Sequence, residues 1–409
     1  MADRTVEQHL AAVLAVARPL PPATVPLPEA AGLVAGADVE CLVDLPGFDN
    51  SAMDGYAVRA ADLLGATSDA PVRLSVVADL AAGDAPSRVI GPGEAARIMT
   101  GAMIPEGVDT IVKVEDTDAG MPLVGVLVET PLGTSIRRRG EDLPAGGPVV
   151  AAGTVLTPRH IGLLAAAGHA SVAAHPRPRV AVVSTGAELV APGEPVQPGQ
   201  IHDSNSYLLA ALVDAAGGLT AYRGTVGDRP DEVRDLLDHL ATEVDVIVTS
   251  GGVSMGVHDV VKGVLRERAE VDFVTVAMQP GKPQGFGVLG ERRVPFFGLP
   301  GNPVAVTVTF YQFVRSALAT LQGRTDYALP PTVKATLTNN VKKMPGRTEF
   351  QRGVLTIGPN GCEVKTTGDQ GSGILSSMTQ ANCFVVLGTD VGNVAAGAVV
   401  DVQMFEGVV

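Results

Sequence analysis

Four acidic residues in the middle of the chain stand where apolar runs give way to loops. Glu188 follows Ser184-Thr185-Gly186, Asp203 precedes Ser204-Asn205, Asp228 follows Gly227, and Asp259 follows Gly256. Two glycine-rich segments about 50 residues apart lie in the same stretch. Thr249-Ser250-Gly251-Gly252-Val253-Ser254-Met255-Gly256 follows one apolar run, and Gly298-Leu299-Pro300-Gly301-Asn302-Pro303 follows another. Each reads as a buried strand, a tight loop and a helix start, which aims backbone N–H groups and a helix N-terminus at one point, as an oxyanion requires. In one α/β unit the two loops are expected to converge at the carboxyl edge of the sheet. Carboxylates beside such loops suit Mg²⁺ shared between protein and phosphate oxygens. Each acid also has a plainer reading as a helix cap. That reading suits Asp203 best, serves equally for Asp228, and is weakest for Glu188 and Asp259. The expected ligand is a small anion.

Three further constellations carry polar chemistry. Asp49-Asn50-Ser51-Ala52-Met53-Asp54-Gly55-Tyr56 could be an Asx-rich turn, but it sets polar groups beside Phe48, Met53 and Tyr56, an unusual mix for a mere connector. Gln279-Pro280-Gly281-Lys282-Pro283 puts a cation on a rigid turn, without the spacing or the Ser/Thr of a P-loop. Arg137-Arg138-Arg139-Gly140-Glu141-Asp142 is either a solvated charge run or an anion clamp. The seven histidines show no metal-ligand spacing. Cys41, Cys362 and Cys383 are scattered and read as buried, unpaired thiols of a reducing cytoplasm.

The elements that must position these groups follow from pattern. Val6–Val16 has helical spacing with Thr5 as its cap, and prolines end it. Residues 27–150 switch to short β-like runs broken by Gly and Pro, such as 72–76, 95–99 and 110–114, in a region that is barrel-like or split into layers. Residues 157–167 return to helix. From 179 to about 321 strands alternate with helices (206–216, 230–240), implying a mainly parallel, doubly wound sheet. From 330 to 409 the signals are again β, at Thr332–Leu337, 350–356, Cys383–Leu387 and Val399–Met404. The resulting division is 1–40 with 144–177, 41–143, 178–327 and 328–409.

Length agrees with several domains, since 409 residues exceed a single core. A net charge of -14 and 4% aromatics without tryptophan exclude a nucleic-acid surface. No apolar run reaches membrane-spanning length, so no membrane insertion is expected.

Taken together, the segments resemble the molybdopterin molybdenumtransferase family (MoeA and the E domain of gephyrin). The resemblance runs through PGFDNSAMDGYAV (46–58), RIMTGAMIPEG (97–107), RRRGEDL (137–143), STGAEL (184–189), SNSYLLAALVDAAGG (204–218), TSGGVSMGVHD (249–259), PGKPQGFG (280–287), GLPGNPVAV (298–306), GRTEFQRG (346–353) and TGDQGSGILSSM (367–378). It implies a four-part homodimer that inserts molybdate into adenylylated molybdopterin and cleaves the pyrophosphate with Mg²⁺, releasing AMP. The implied catalytic residues are Asp54, Thr100, Glu188, Asp228 and Asp259, with Glu188, Asp228 and Asp259 on the metal. Ser250, Gly251, Gly252, Lys282, Pro300, Gly301, Asn302, Arg347 and Ser372 are the implied ligand contacts. The alternative is a gephyrin-like scaffold that binds a protein partner at the edge of the last subdomains. The chain departs from the family at Gln279 and Thr275, where many members carry lysine. Each lost cation weakens capture of a dianion by ~1–3 kcal/mol.

Overall fold

A computed structural model of the chain describes residues 4–227, 229–252, 260–267, 271–324, 331–359 and 361–405. Its helix Val6–Val16 begins as the sequence predicts: Thr5 and Gln8 cap each other's backbone N–H groups. The strand Ala23–Pro26 then pairs with Ser171–His175, and Val39–Glu40 pairs with Pro148–Val150, so the chain leaves and re-enters one small layer. Between those passages lies an open five-stranded sheet built on Gly55–Val58, Val72–Leu80, Glu94–Ile98, Thr110–Lys113 and Leu123–Val126. The layered alternative for this region therefore holds over the barrel-like one.

The barrel lies at the other end of the chain. Thr332–Leu337, Thr348–Gly358, Gly361–Thr366, Cys383–Leu387 and Val399–Met404 form one sheet, and the pairing of Thr348–Gly358 with Cys383–Leu387 closes it. Closure removes both edges. Cys383 and Cys41 are buried as expected, but Cys362 is only half-buried, because it sits near the end of a short strand.

The central unit is a six-stranded sheet in the order Leu219–Val226, Arg179–Thr185, Val246–Ser250, Val294–Leu299, Pro283–Leu289, Val271–Thr275. The first four strands are parallel, Pro283–Leu289 runs against them and Val271–Thr275 runs with them again, which agrees with a mainly parallel doubly wound fold. Val246–Ser250 is buried throughout, which suits its unbroken apolar run, while the outer strand Leu219–Val226 alternates. Helices cover both faces, each over its own apolar cluster. The chain turns outward to both sides from Arg179–Thr185, so a crevice opens between that strand and Val246–Ser250. Among the described residues one helix, Pro303–Leu321, is long and apolar enough to cross a membrane, but 94% of its apolar stretch is buried in the core.

The core of the α/β unit extends to both neighbours: Val6, Leu10 and Val13 of the first helix join it, as do Phe350 and Phe384 of the barrel. His9 enters with them, its ring edge-on to Phe313 at 4.6 Å and Phe286 at 6.0 Å, and its Nδ1 is buried without a partner. Burial, aided by the charge of Arg4, lowers its pKa to about 4. The unfolded chain therefore takes up the proton first. Stability from neutral His9 is complete above pH ~6.5 and is lost as pH falls toward 4, by about 3 kcal/mol in all. His9→Leu is expected to flatten urea-unfolding stability between pH 6.5 and 4. An unchanged slope would show that other groups set it.

Candidate functional site

The site begins where two parallel neighbours end. Val246–Ser250 and Val294–Leu299 run side by side, so their following loops leave the sheet together. Gly251 N–H donates to Leu299 O at 3.1 Å, and Ser250 Oγ donates to Pro300 O at 3.4 Å. Gly251 and Gly252 adopt φ of +89° and +73°. A Cβ on Gly251 would lie 2.7 Å from Thr185 O, and one on Gly252 would lie 2.8 Å from a methyl of Val261, so only glycine fits either place. Asn205 locks the pair: its Nδ2 donates to Ser250 Oγ at 2.7 Å and to Gly301 O at 2.6 Å. Its Oδ1 is buried with no partner. Convergence of the two loops is thus observed, and the residue that fixes it is one the motif reading passed over. Its signals were the polar segment Asp203-Ser204-Asn205 at a helix start and its place in the 204–218 motif, neither of which named it as a contact.

These loops floor a cleft of about 740 Å³, lined also by Thr185, Gly186, Glu188, Ser204, Gly227 and Val260. Glu188 is exposed on its wall. Its carboxylate lies over Gly186, where a Cβ would come within 2.4 Å of an oxygen. Asp203 is buried, and it is more than a cap. It accepts from Ser206 N at 3.1 Å and from Ser206 Oγ at the start of the helix Asn205–Ala215, and also from Ser184 Oγ at 2.9 Å at the end of Arg179–Thr185. One carboxylate therefore joins the strand end to the helix that bounds the cleft.

The barrel contributes the remaining wall. Asn302 Nδ2 donates to Ser372 Oγ at 3.1 Å, Val304 N–H donates to Ser372 O at 3.2 Å, and Gly373 and Leu375 line the cleft. Arg347 is elsewhere. Its Nη1 donates to Gln279 Oε1 at 2.8 Å, in a separate cavity of about 530 Å³ with Lys342, Lys343, Glu349 and Asn393. Ser372 and Arg347, grouped by sequence, are therefore parted by the fold. Lys282 is exposed on the intervening turn, which Gln284 braces by donating to Gly281 O at 2.6 Å.

Asp54 and Thr100 form a third group, in the open sheet near the other end of the chain. Gly55 allows this close strand approach, since a Cβ there would overlap Val112 O. Ser51 exchanges backbone hydrogen bonds with Gly101 and Ala102, at 2.8 and 3.0 Å, and this brings Thr100 to Asp54. Asp54 Oδ1 accepts from Thr100 N–H and from Thr100 Oγ1, both at 2.7 Å. The backbone donor chiefly, then the hydroxyl, holds the Asp54 carboxyl below the usual range. The arginine run turns out to be an internal brace. Arg138 pairs with Asp49 at 2.7 Å, the Arg139 N–H donates to the same carboxylate at 2.8 Å, and the Arg139 side chain pairs with Asp44. Both ion pairs tie down the loop that presents Asp54.

Neither Asp54 nor Thr100 lines the cleft of the same chain. Asp228 and Asp259 lie outside the described residues, and among the described residues no cluster of three metal-ligating side chains occurs.

Three family models match the chain: "MoeA N-terminal region (domain I and II)" over residues 4–168, "Probable molybdopterin binding domain" over 181–320, and "MoeA C-terminal region (domain IV)" over 334–405. The molybdopterin molybdenumtransferase 2 of Mycobacterium tuberculosis is 43% identical over 400 residues, covering 96% of this chain and 98% of that one. The molybdopterin molybdenumtransferase of Haemophilus influenzae is 41% identical over 382 residues, 93% of each chain. The crystal structure of the molybdopterin biosynthesis MoeA protein from Pyrococcus horikoshii OT3 superimposes with a TM-score of 0.83 at 28% identity, covering 99% of this chain and all of that one.

Proposed function

This chain belongs to the MoeA family of molybdopterin molybdenumtransferases, and from that premise we propose that it inserts molybdate into adenylylated molybdopterin with release of AMP. The observation that carries the reading is the meeting of the Ser250-Gly251-Gly252 and Pro300-Gly301-Asn302 loops on one cleft, clamped by Asn205. Backbone N–H groups of glycine loops of this kind suit the phosphates of such a substrate. No observation favours the scaffold alternative. Purified protein is expected to release AMP from adenylylated molybdopterin only when molybdate is present; release that ignores molybdate would overturn the assignment.

Mg²⁺ belongs to this reading. The Glu188 carboxylate on the cleft wall is a hard oxygen donor of the kind Mg²⁺ takes, and Asp228 and Asp259 would be further ligands. When bound, the ion would offset charge on the pyrophosphate oxygens. The protein's own part is to seat the phosphates on the loops and to exclude competing geometries.

The working form in this proposal is a homodimer. Asp54 and Thr100 stand outside the cleft of their own chain, so they can serve its ligand only from a second copy. The loops around them also carry Phe48, Met53 and Met103, each about two-fifths exposed, as an interface would use. Three unpaired cysteines suit the reducing cytoplasm.

Gln279 bears on molybdate. Beside Arg347 and Lys342 it faces a cavity rich in cations, where a lysine would add charge but forfeit the acceptor that holds Arg347. Gln279→Lys is expected to lower the apparent molybdate constant by roughly tenfold or less, with pterin binding unchanged. An unaltered molybdate titration would mean that this cavity does not receive the oxyanion.

A further inference from the structure

The barrel wall of the cleft rests on a loop with little structure of its own. Residues 367–373, Thr-Gly-Asp-Gln-Gly-Ser-Gly, contain three glycines, and such a segment loses much conformational entropy when fixed. Yet it delivers Ser372 to Asn302 and Gly373 to the cleft.

Arg352, in the strand Thr348–Gly358, is completely buried behind this loop. Its Nη2 donates to Asp369 O at 2.8 Å and to Gly371 O at 3.2 Å, and its Nη1 donates to Gln370 O at 3.2 Å. Its backbone takes part too: Arg352 N–H donates to Gln370 Oε1 at 2.9 Å, and Arg352 O accepts from Thr367 N–H at 2.9 Å and from Gln370 Nε2 at 3.2 Å. Three consecutive carbonyls thus converge on one guanidinium, whose flat fork suits that arrangement as lysine's point charge does not.

The energetics point away from a merely stabilising role. Burying a guanidinium is costly, and burial pulls its pKa down, with only the charge of Asp369 acting against this. Its Nε remains buried without a partner. An apolar side chain of similar volume would fill the same space without that cost.

We propose that Arg352 is a positioning residue for the transferase site. It sets the 369–373 loop so that Ser372 meets Asn302 and Gly373 closes the cleft. The inference rests on the function proposed above for that cleft, but its structural half is independent of it.

The test uses the full-length protein with Arg352→Met and Arg352→Lys, read first by amide hydrogen exchange. Arg352→Met is expected to raise exchange across residues 370–375 by about tenfold or more, with the first helix and the central sheet unchanged. Arg352→Lys, which keeps charge but can hold fewer carbonyls, is expected to fall between the two. In the AMP-release assay, Arg352→Met should raise KM for adenylylated molybdopterin about tenfold while kcat moves less than about threefold. Ser372→Ala should add little to Arg352→Met, since both act through one contact. If exchange at 370–375 stays at the wild-type level, or rises equally throughout the chain, Arg352 is a core residue and the proposal fails. If exchange rises locally but KM is unmoved, the loop is held by Arg352 without serving the substrate, and the functional half is overturned. Should Arg352→Met fail to fold, Arg352→Lys with the same exchange profile decides the matter.

Discussion

Asp54→Ala is expected to reduce AMP release by at least about a hundredfold while leaving the thermal unfolding midpoint and the proposed dimer nearly unchanged. The split follows from where the side chain sits. Asp54 is exposed, and among the described residues its carboxylate is held by the amide and hydroxyl of Thr100, so alanine opens no cavity and strands no buried group. The two Thr100 donors hold the carboxyl below its usual range, which keeps it ionised throughout the neutral region and well into acid. Because that pKa is lowered, the acid limb of a pH–rate profile near pH 5–6 should not come from Asp54. Asp54→Asn tests the charge alone: it can still accept from Thr100, so a loss equal to that of alanine would assign the effect to the missing charge. Mixing Asp54→Ala with a variant disabled in the glycine-loop cleft gives a further check, since a shared site predicts partial recovery in mixed dimers. Wild-type AMP release from Asp54→Ala would remove Asp54 from the site.

The second large effect concerns the metal. Asp228→Asn and Asp259→Asn are each expected to raise the Mg²⁺ concentration for half-maximal AMP release by about tenfold or more, with the protein fold retained. Both residues lie outside the described part of the chain, but their neighbours in sequence, Gly227 and Val260, line the cleft beside Glu188. A carboxylate that binds Mg²⁺ loses most of its contribution as an amide, whereas an N-cap loses little, because asparagine caps nearly as well as aspartate. The Mg²⁺ titration therefore separates the two readings that sequence left equal at Asp228. Identical titrations for wild type and both variants would return these residues to capping roles. Chelation of Mg²⁺ from the wild-type protein should stop turnover reversibly, without loss of the fold.

Much of the site was legible because its determinants are local. The apolar runs before Thr249 and Gly298, the loop glycines that readily take positive φ, and the cap at Thr5 each act within a few residues, so spacing alone encodes them. Family motifs then supplied residue names that no periodicity could, and the comparisons place the chain in that family. Other features depended on contacts between residues far apart in the chain. Asn205 reaches Gly301 across 96 positions, and Arg138 reaches Asp49 across 89. The arginine run could not be read as a brace until the loop it braces lay beside it. Ser372 and Arg347 looked like one group because both fall in family motifs of the last region, yet the fold sends one to the cleft and the other to a separate cavity. Arg352 was invisible for the same reason: an arginine in a strand pattern reads as surface, and only closure of the barrel buries it against three carbonyls. A sequence states which backbone conformations and buried faces are favoured nearby. Which side chains meet is settled by how strands pair and domains pack, and that depends on the whole chain at once.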